Sequence, residues 1–395
     1  MAMRFAVPIG ALAVALLPQT AWSQANPSAS PLRLEGGEWV ETLHASLPAA
    51  AALRVETRGA IRIRGGETSR LAVQVRRRVR AASQAEARRL LDQCDFRAWR
   101  LGETVRVVAK APALSRVTAD VDIEGPRSLD RVQLETSSGS LDIANVAASL
   151  DAGTAGGPVR VDGVVGPVRV RTGGGEIEIG TIGTSVEATT GGGPIRVAKA
   201  GGMVTLQTGG GQIYVGESGP VRAITGAGNV VVMRAFGPVA ARTNGGVIRV
   251  HEADGEVSAE NAAGAIEVSS ARGVQCQAAA GGIRLRGVSG QLRAVTALGS
   301  ILAELLDGRP LSDSFISTDG GDITILLPSN LAVTVEAWNE SPGRAQRIVS
   351  EFNEIRVQAP DVRTRYRTVA TGALNGGGPL LRIAASDGTI YLRRK

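Results

Sequence analysis

Three acidic residues on one short segment are the first candidates for chemistry in this sequence. Asp120, Asp122 and Glu124 alternate with apolar residues, so all three carboxylates point to one face if the segment is a β-strand. Such a face could meet Ca²⁺ or serve a carbohydrate-cleaving enzyme. Alternate residues on a strand lie about 7 Å apart, which is too wide for one ion without a ligand from a neighbouring strand. A solvated acidic face is therefore the favoured interpretation, and we assign no metal, cofactor-binding or catalytic residue.

Other catalytic groups are few. The chain has only His44 and His251, so a zinc site with three histidines is impossible and a Ser-His-Asp triad would depend on one isolated histidine. The two cysteines, Cys94 and Cys276, exclude a disulfide-stapled scaffold, and no pattern brings them together. These residues favour a protein that is not an enzyme. The alternative is a polysaccharide lyase or hydrolase built on a β-helix.

An internal repeat of about 18 residues must position any site in this chain. Apolar residues occupy positions 1, 3, 10, 12 and 15 of each unit, which indicates two half-buried strands and a short third side. This pattern predicts an all-β, single-stranded parallel β-solenoid of about ten regular coils over residues 132–306. Parallel crossovers are usually right-handed, and we expect that hand here. The units begin at Val132, Leu150, Val168, Val186, Val204, Val221, Val239, Val257, Val274 and Leu292.

Two repeated positions are predicted to be structural. Position 8 is always glycine, at a corner that needs a residue free to take a positive φ and without a side chain to collide with the neighbouring coil. These residues are Gly139, Gly157, Gly175, Gly193, Gly211, Gly228, Gly246, Gly264, Gly281 and Gly299. Position 5 is mostly threonine and has the parity of the inward positions, so its hydroxyl can bond to the turn backbone or to the threonine above. These residues are Thr136, Thr154, Thr172, Thr190, Thr208, Thr225, Thr243 and Thr296.

The charges of the chain are distributed rather than clustered. The formal net charge is +7, yet the outward position 11 alternates in sign through Asp142, Arg160 and Glu178. Stacked strands bring such residues within about 5 Å of each other, so opposite charges balance along the face. A basic stripe of the kind that binds nucleic acid is therefore not predicted.

The flanking segments predict an exported protein with capped ends. Residues 1–23 read as a secretory signal peptide, and no later segment is long and apolar enough to span a membrane. Residues 24–32 read as a flexible lead. Residues 33–131 read as a β-rich cap with a short helix at about 83–94, and residues 307–395 as a less regular continuation of the solenoid with a second cap.

Several motifs resemble a known family. They are the early run from Val55 to Gly66, the recurring Thr-x-Gly-Gly-x-Ile-x-Val, and the closing run from Gly376 to Ile390. Together they are similar to the bacterial adhesin-like, or Toastrack, family of β-strand-repeat proteins of unknown function. The resemblance covers nearly the whole mature chain and supplies no catalytic residues. It implies a location at the cell envelope, whether periplasm, cell surface or secreted. We therefore expect an exported, adhesin-like scaffold whose partner is envelope glycan or another protein.

Overall fold

The structure is a computed structural model that describes residues 23–25, 27–112, 116–306, 308–340, 347–360 and 367–395. Nearly all of its regular structure is β, and the one helix of these ranges is α1 (Gln84–Leu91). No helix in the described ranges is long and apolar enough to cross a membrane. The predicted signal peptide lies outside the described residues except for its last residue.

The strands before the repeat are β1 (Ser23–Gln24), β2 (Ser28–Ala29), β3 (Arg33–Glu35), β4 (Glu38–Pro48), β5 (Ala52–Thr57), β6 (Ile61–Gly66), β7 (Arg70–Val79), β8 (Asp95–Leu101), β9 (Thr104–Lys110) and β10 (Thr118–Pro126). The strands of the repeat are β11 (Arg131–Thr136), β12 (Leu141–Ala144), β13 (Ser149–Thr154), β14 (Val159–Asp162), β15 (Val168–Thr172), β16 (Ile177–Ile182), β17 (Val186–Thr190), β18 (Ile195–Ala200), β19 (Val204–Thr208), β20 (Ile213–Ser218), β21 (Val221–Thr225), β22 (Val230–Ala235), β23 (Val239–Thr243), β24 (Ile248–Ala253), β25 (Val257–Ala263), β26 (Ile266–Val268), β27 (Val274–Ala280), β28 (Ile283–Arg286), β29 (Leu292–Leu298) and β30 (Ile301–Glu304). The strands after it are β31 (Ser314–Gly320), β32 (Ile323–Leu327), β33 (Val333–Asn339), β34 (Ile348–Ser350), β35 (Arg356–Gln358), β36 (Thr368–Leu374), β37 (Leu380–Asp387) and β38 (Ile390–Arg394).

The predicted all-β solenoid is confirmed, with two long parallel sheets. Sheet A contains the odd-numbered strands from β11 to β31, and sheet B contains the even-numbered strands from β12 to β32. Each strand pairs with the strand one coil later, so Val168 lies beside both Leu150 and Val186. Alternate side chains point inward, and the two inner faces bury one continuous apolar core. The hand of the coil remains a prediction.

Two coils at the N-terminal end stack out of sequence order. Strands β5 and β6 pair in parallel with β11 and β12, so residues 52–66 form the coil directly beneath the first repeat unit. Strands β9 and β10 pair in parallel with the other edges of β5 and β6. The outermost coil therefore comes from residues 104–126, although these follow residues 52–66 in the chain. The rod begins earlier in the sequence than the 18-residue spacing indicates.

The C-terminal end is interleaved in the same way. Strands β37 and β38, the last copy of the unit, pair in parallel with β31 and β32. Their other edges pair in parallel with β33 and β34, which precede them in sequence. At each end, the segment that forms the outermost coil therefore lies in the sequence between two segments whose coils are direct neighbours in space.

Antiparallel strands close both ends of the rod. At the N-terminal end, β8 covers β9 and β7 covers β10, while at the C-terminal end β36 covers β33. These strands saturate backbone groups that an open parallel edge would leave free. Segment 24–32, expected to be a flexible lead, is paired in part, because β2 lies antiparallel to the long strand β4.

The helix and a buried ion cluster fasten the N-terminal cap. Ser83 accepts the N–H of Glu86 at 3.2 Å, which is the capping interaction that the sequence predicted, and the helix ends at Leu91 rather than near Cys94. The carboxylate of Glu41 is fully buried and bonds to Arg77 and Arg88. Because Arg88 lies on α1 while Glu41 and Arg77 lie on β4 and β7, this cluster holds the helix against the sheet.

Candidate functional site

The corner glycines are required by close contact between coils. A Cβ added to Gly175 would lie 2.1 Å from the carbonyl oxygen of Gly157, one coil earlier. Similar overlaps, at 2.0–2.4 Å, occur at all ten position-8 glycines. A positive φ is found at only two of them, Gly264 and Gly281. Of the two requirements expected at every corner, lack of space for a side chain therefore applies at all ten glycines, whereas a positive φ is needed at only two.

The corner threonines join neighbouring coils. Thr172 donates its hydroxyl to the carbonyl of Gly157 at 2.9 Å and accepts the N–H of Gly175 at 3.1 Å. The turn backbone is thus the partner of the hydroxyl, rather than the threonine above. The same pair of bonds occurs at Thr136, Thr154, Thr190, Thr208, Thr225 and Thr243.

The corner changes where the threonine is replaced. In one coil the threonine is replaced by Asn261, whose side-chain amide donates to the carbonyl of Gly246 at 2.6 Å. In the next coil it is replaced by Ala278, which has no side-chain donor. There the N–H groups of Gly264 and Gly281 bond to carbonyls of the following coil instead. These are the two corner glycines with positive φ. Among the ten regular corners, the positive φ therefore coincides with the loss of the threonine hydroxyl, whereas the following corner combines Thr318 with a positive φ at Gly321.

The three acidic residues of β10 have different neighbours. Asp120 accepts the N–H of Ala60 at 2.9 Å and pairs with Arg78 at 2.6 Å. Asp122 lies 3.5 Å from Arg62. Glu124 lines a shallow groove of about 580 Å³ together with Asp122 and His44. No group of three or more His, Cys, Asp or Glu side chains in the described ranges could hold a metal ion.

Outward charges are largely paired between consecutive coils. On sheet B, Arg160 bonds to Glu178 at 2.6 Å, and on sheet A, Arg169 bonds to Glu187 at 2.7 Å. At the first regular coil, both oxygens of Asp142 accept N–H groups of Arg64, at 2.7 and 3.0 Å. This Arg64 guanidinium holds the pKa of Asp142 below its usual range. The faces are therefore self-neutralising, as the alternating signs predicted.

An aromatic groove lies at the C-terminal end of sheet A. It has a volume of about 530 Å³ and extends from the first residues of β29, β31 and β37 to Trp338 on β33. We name it the Trp338 groove. Its principal side chains are Gln291, Arg293, Asp313, Phe315, Trp338 and Arg382.

Out-of-order stacking assembles this groove. Phe315 lies between Arg293 and Arg382 on adjacent strands, although Arg382 is 67 residues away in the chain. Trp338 lies one strand beyond, beside Ala384. The N–H of Leu380 donates to the carboxylate of Asp313 at 2.9 Å, which fixes that side chain at the rim.

Sequence reasoning missed this groove. Phe315 and Trp338 both lie at outward positions, but nothing in the spacing indicates that β37 inserts between β31 and β33. One signal was available, because only 3% of the chain is aromatic and three of those residues, Phe315, Trp338 and Tyr391, fall within residues 307–395 on outward strand positions. On sheet B, another half-buried aromatic residue at an outward position, Tyr214, lies under the Arg196 guanidinium at 5.4 Å.

No protein-family profile matches the sequence, and no curated protein matches it. Crystal structures with weak similarity to this chain include the following two. One is of a "putative lipid binding protein" from Parabacteroides distasonis, with 12% identity, 73% of this chain and 97% of that chain covered, and a TM-score of 0.26. The other is of a "putative cell adhesion protein" from Clostridium sporogenes, with 9% identity, 94% of this chain and 100% of that chain covered, and a TM-score of 0.16. Scores this low carry no argument about function.

Proposed function

We propose that this protein is an exported, non-enzymatic scaffold of the cell envelope or cell surface that binds a ligand through the Trp338 groove. The observation that carries the proposal is the groove itself. It combines half-buried Trp338 and Phe315 with the exposed guanidinium of Arg293, and it is open to solvent. Aromatic and arginine side chains are the types that contribute most to binding surfaces.

The rest of the rod supports a scaffold role. Outward carboxylates such as Glu178 and Glu187 are engaged by arginines of the neighbouring coil, so they serve the rod rather than a reaction. The signal-like segment 1–23 and the resemblance to adhesin-like repeat proteins support export and an envelope location. The partner class is envelope glycan or protein.

The test is retention of envelope material by the immobilised mature protein. Protease-treated and untreated envelope fractions would be applied to the wild type, Trp338→Ala and Tyr214→Ala. Tyr214 is a matched control because it is also an aromatic side chain on an outward strand position, but on the other sheet. We expect the wild type and Tyr214→Ala to retain the same material and Trp338→Ala to lose it. Failure of the wild type to retain anything from the envelope would refute the proposal.

A further inference from the structure

We infer that the Trp338 groove binds an uncharged glycan, specifically an extended chain of β-1,4-linked hexopyranose units. This inference rests on the proposed function and names the ligand class of the same site. A pyranose ring offers an apolar C–H face and a rim of hydroxyls, so its site needs an aromatic surface beside several hydrogen-bonding groups.

Trp338 supplies the aromatic surface and a free donor. Its indole N–H makes no hydrogen bond to any residue of the described ranges, whereas the indole of Trp39 donates to the carbonyl of Ala81 at 3.2 Å. A half-buried indole usually finds such a partner. The N–H of Trp338 is therefore available to a ligand hydroxyl.

Further donors in the groove are also unused. Arg293 forms no ion pair within the described ranges, and its guanidinium lies over the Phe315 ring at 5.5 Å. Arg169 and Arg249 on other coils bond to Glu187 and Glu267, whereas Arg196, stacked over the control residue Tyr214, also forms no ion pair within the described ranges. Stacking on Phe315 holds the Arg293 guanidinium in place while leaving its N–H groups for vicinal hydroxyls.

The charge balance of the groove favours a neutral ligand. Arg293, Arg382 and Asp313 line the groove, and Arg382 lies 3.5 Å from Glu336, which is outside the lining. Because Arg382 is already paired and Asp313 shares the lining with Arg293, the groove has no excess of positive charge that would favour a polyanion. Sugar hydroxyls can donate to the same carboxylates and accept from the same guanidinium groups.

The shape of the groove favours a chain over a single sugar. Its lining residues lie on or beside four adjacent strands, β29, β31, β37 and β33, so the outer strands lie about 14 Å apart, which is room for more than one linked ring. Its rim residues Gln291, Asp313 and Arg382 are exposed, so a ligand that lies across the stacked strands can reach them. β-1,4 linkage keeps successive rings extended and flat, which suits a shallow surface on a sheet.

The experiment is calorimetric titration of the mature protein with defined oligosaccharides. The probes are cellohexaose and chitohexaose as β-1,4-linked chains, maltohexaose as an α-linked control, glucose as the single ring, and oligogalacturonate as the anionic control. We expect binding of at least one β-1,4-linked hexamer and at least tenfold weaker binding of the other three probes. Trp338→Ala should weaken that binding at least tenfold, Trp338→Phe should weaken it less, and Tyr214→Ala should leave it unchanged.

The outcomes separate this inference from the proposed function. Retention of envelope material without binding of either β-1,4-linked hexamer would overturn the glycan class and leave the scaffold proposal standing. Preferential binding of oligogalacturonate, or equal losses in the Trp338 and Tyr214 variants, would also overturn it. If neither hexamer nor envelope material binds, both proposals fail.

Discussion

The hydroxyl of Thr172 and the carbonyl of Gly157 are joined by a 2.9 Å hydrogen bond that crosses from one coil to the coil before it. The same hydroxyl accepts the N–H of Gly175 in its own turn. One buried side chain therefore satisfies polar backbone groups of two successive corners. The same contact recurs in the first seven regular coils, so the corner has the same geometry in each of them.

Removing the hydroxyl should destabilise the rod. In Thr172→Ala the carbonyl of Gly157 and the N–H of Gly175 lose their partner inside a buried corner, and we expect a loss of about 1–3 kcal/mol in the free energy of unfolding. Urea denaturation measures the change. Thr172→Ser should retain most of the stability, and Thr189→Ala, on the outward face, should have little effect. Equal losses at positions 172 and 189 would contradict the role assigned to the hydroxyl.

A methyl group at a corner glycine should be more damaging. In Gly175→Ala the new Cβ would lie 2.1 Å from the oxygen of Gly157, so the two coils would have to separate, and we expect a loss of about 3 kcal/mol or more. Gly174→Ala is the matched control, since its Cβ would meet nothing within 4 Å. Thermal unfolding followed by circular dichroism compares them. A Gly175 variant as stable as the Gly174 variant would mean that the corner can expand freely.

The buried carboxylate of the N-terminal cap should be essential to that cap. Glu41→Gln would leave the buried Arg77 without its counter-charge, and we expect a loss of about 3–5 kcal/mol. Glu35→Gln breaks an exposed pair with Arg76 in the same cap and should change stability by less than about 1 kcal/mol. Limited proteolysis and thermal unfolding measure both variants. Similar behaviour of the two would show that burial adds nothing to this pair.

Stability should decline in acid through Asp142. Its pKa is held below the usual range by Arg64, so the ionised carboxylate stabilises the folded state above the unfolded pKa of about 4. That contribution is lost as the pH falls through the lower folded pKa. Asp142→Asn should therefore be less stable than the wild type at pH 7, by at most about 1 kcal/mol because the pair is partly solvated, and the difference should shrink below pH 4.

The matched control for this pH dependence is Asp254→Asn, because Asp254 is exposed and forms no ion pair within the described ranges. Its unfolding midpoint should follow the wild type at every pH. A difference between Asp142→Asn and the wild type that stays constant from pH 7 to pH 2.5 would contradict the assignment to carboxylate ionisation. Urea denaturation at a series of pH values provides the comparison.

The sequence by itself determined the coil. Alternating apolar residues fix which side chains point inward, and an invariant glycine after an inward threonine marks a corner with no room for a side chain. The signs of the outward charges likewise indicated pairing between coils, because parallel strands bring the same position of successive coils together. The inward pattern, the corner glycines and the outward charges all recur at the 18-residue spacing of the repeat. They can therefore be predicted from the sequence without knowledge of the whole structure.

Only the tertiary structure decided the order of the coils at the two ends, and with it the Trp338 groove. A coil such as residues 380–394 carries the same inward pattern as any other and can stack on any of them, so the pattern does not specify its neighbours. Its position between residues 314–327 and 333–350 depends on antiparallel closure by β36 and on contacts distant in sequence. That placement brings Arg382 beside Phe315 and positions Trp338 one strand beyond, because strand stacking rather than sequence proximity determines which outward side chains share a surface.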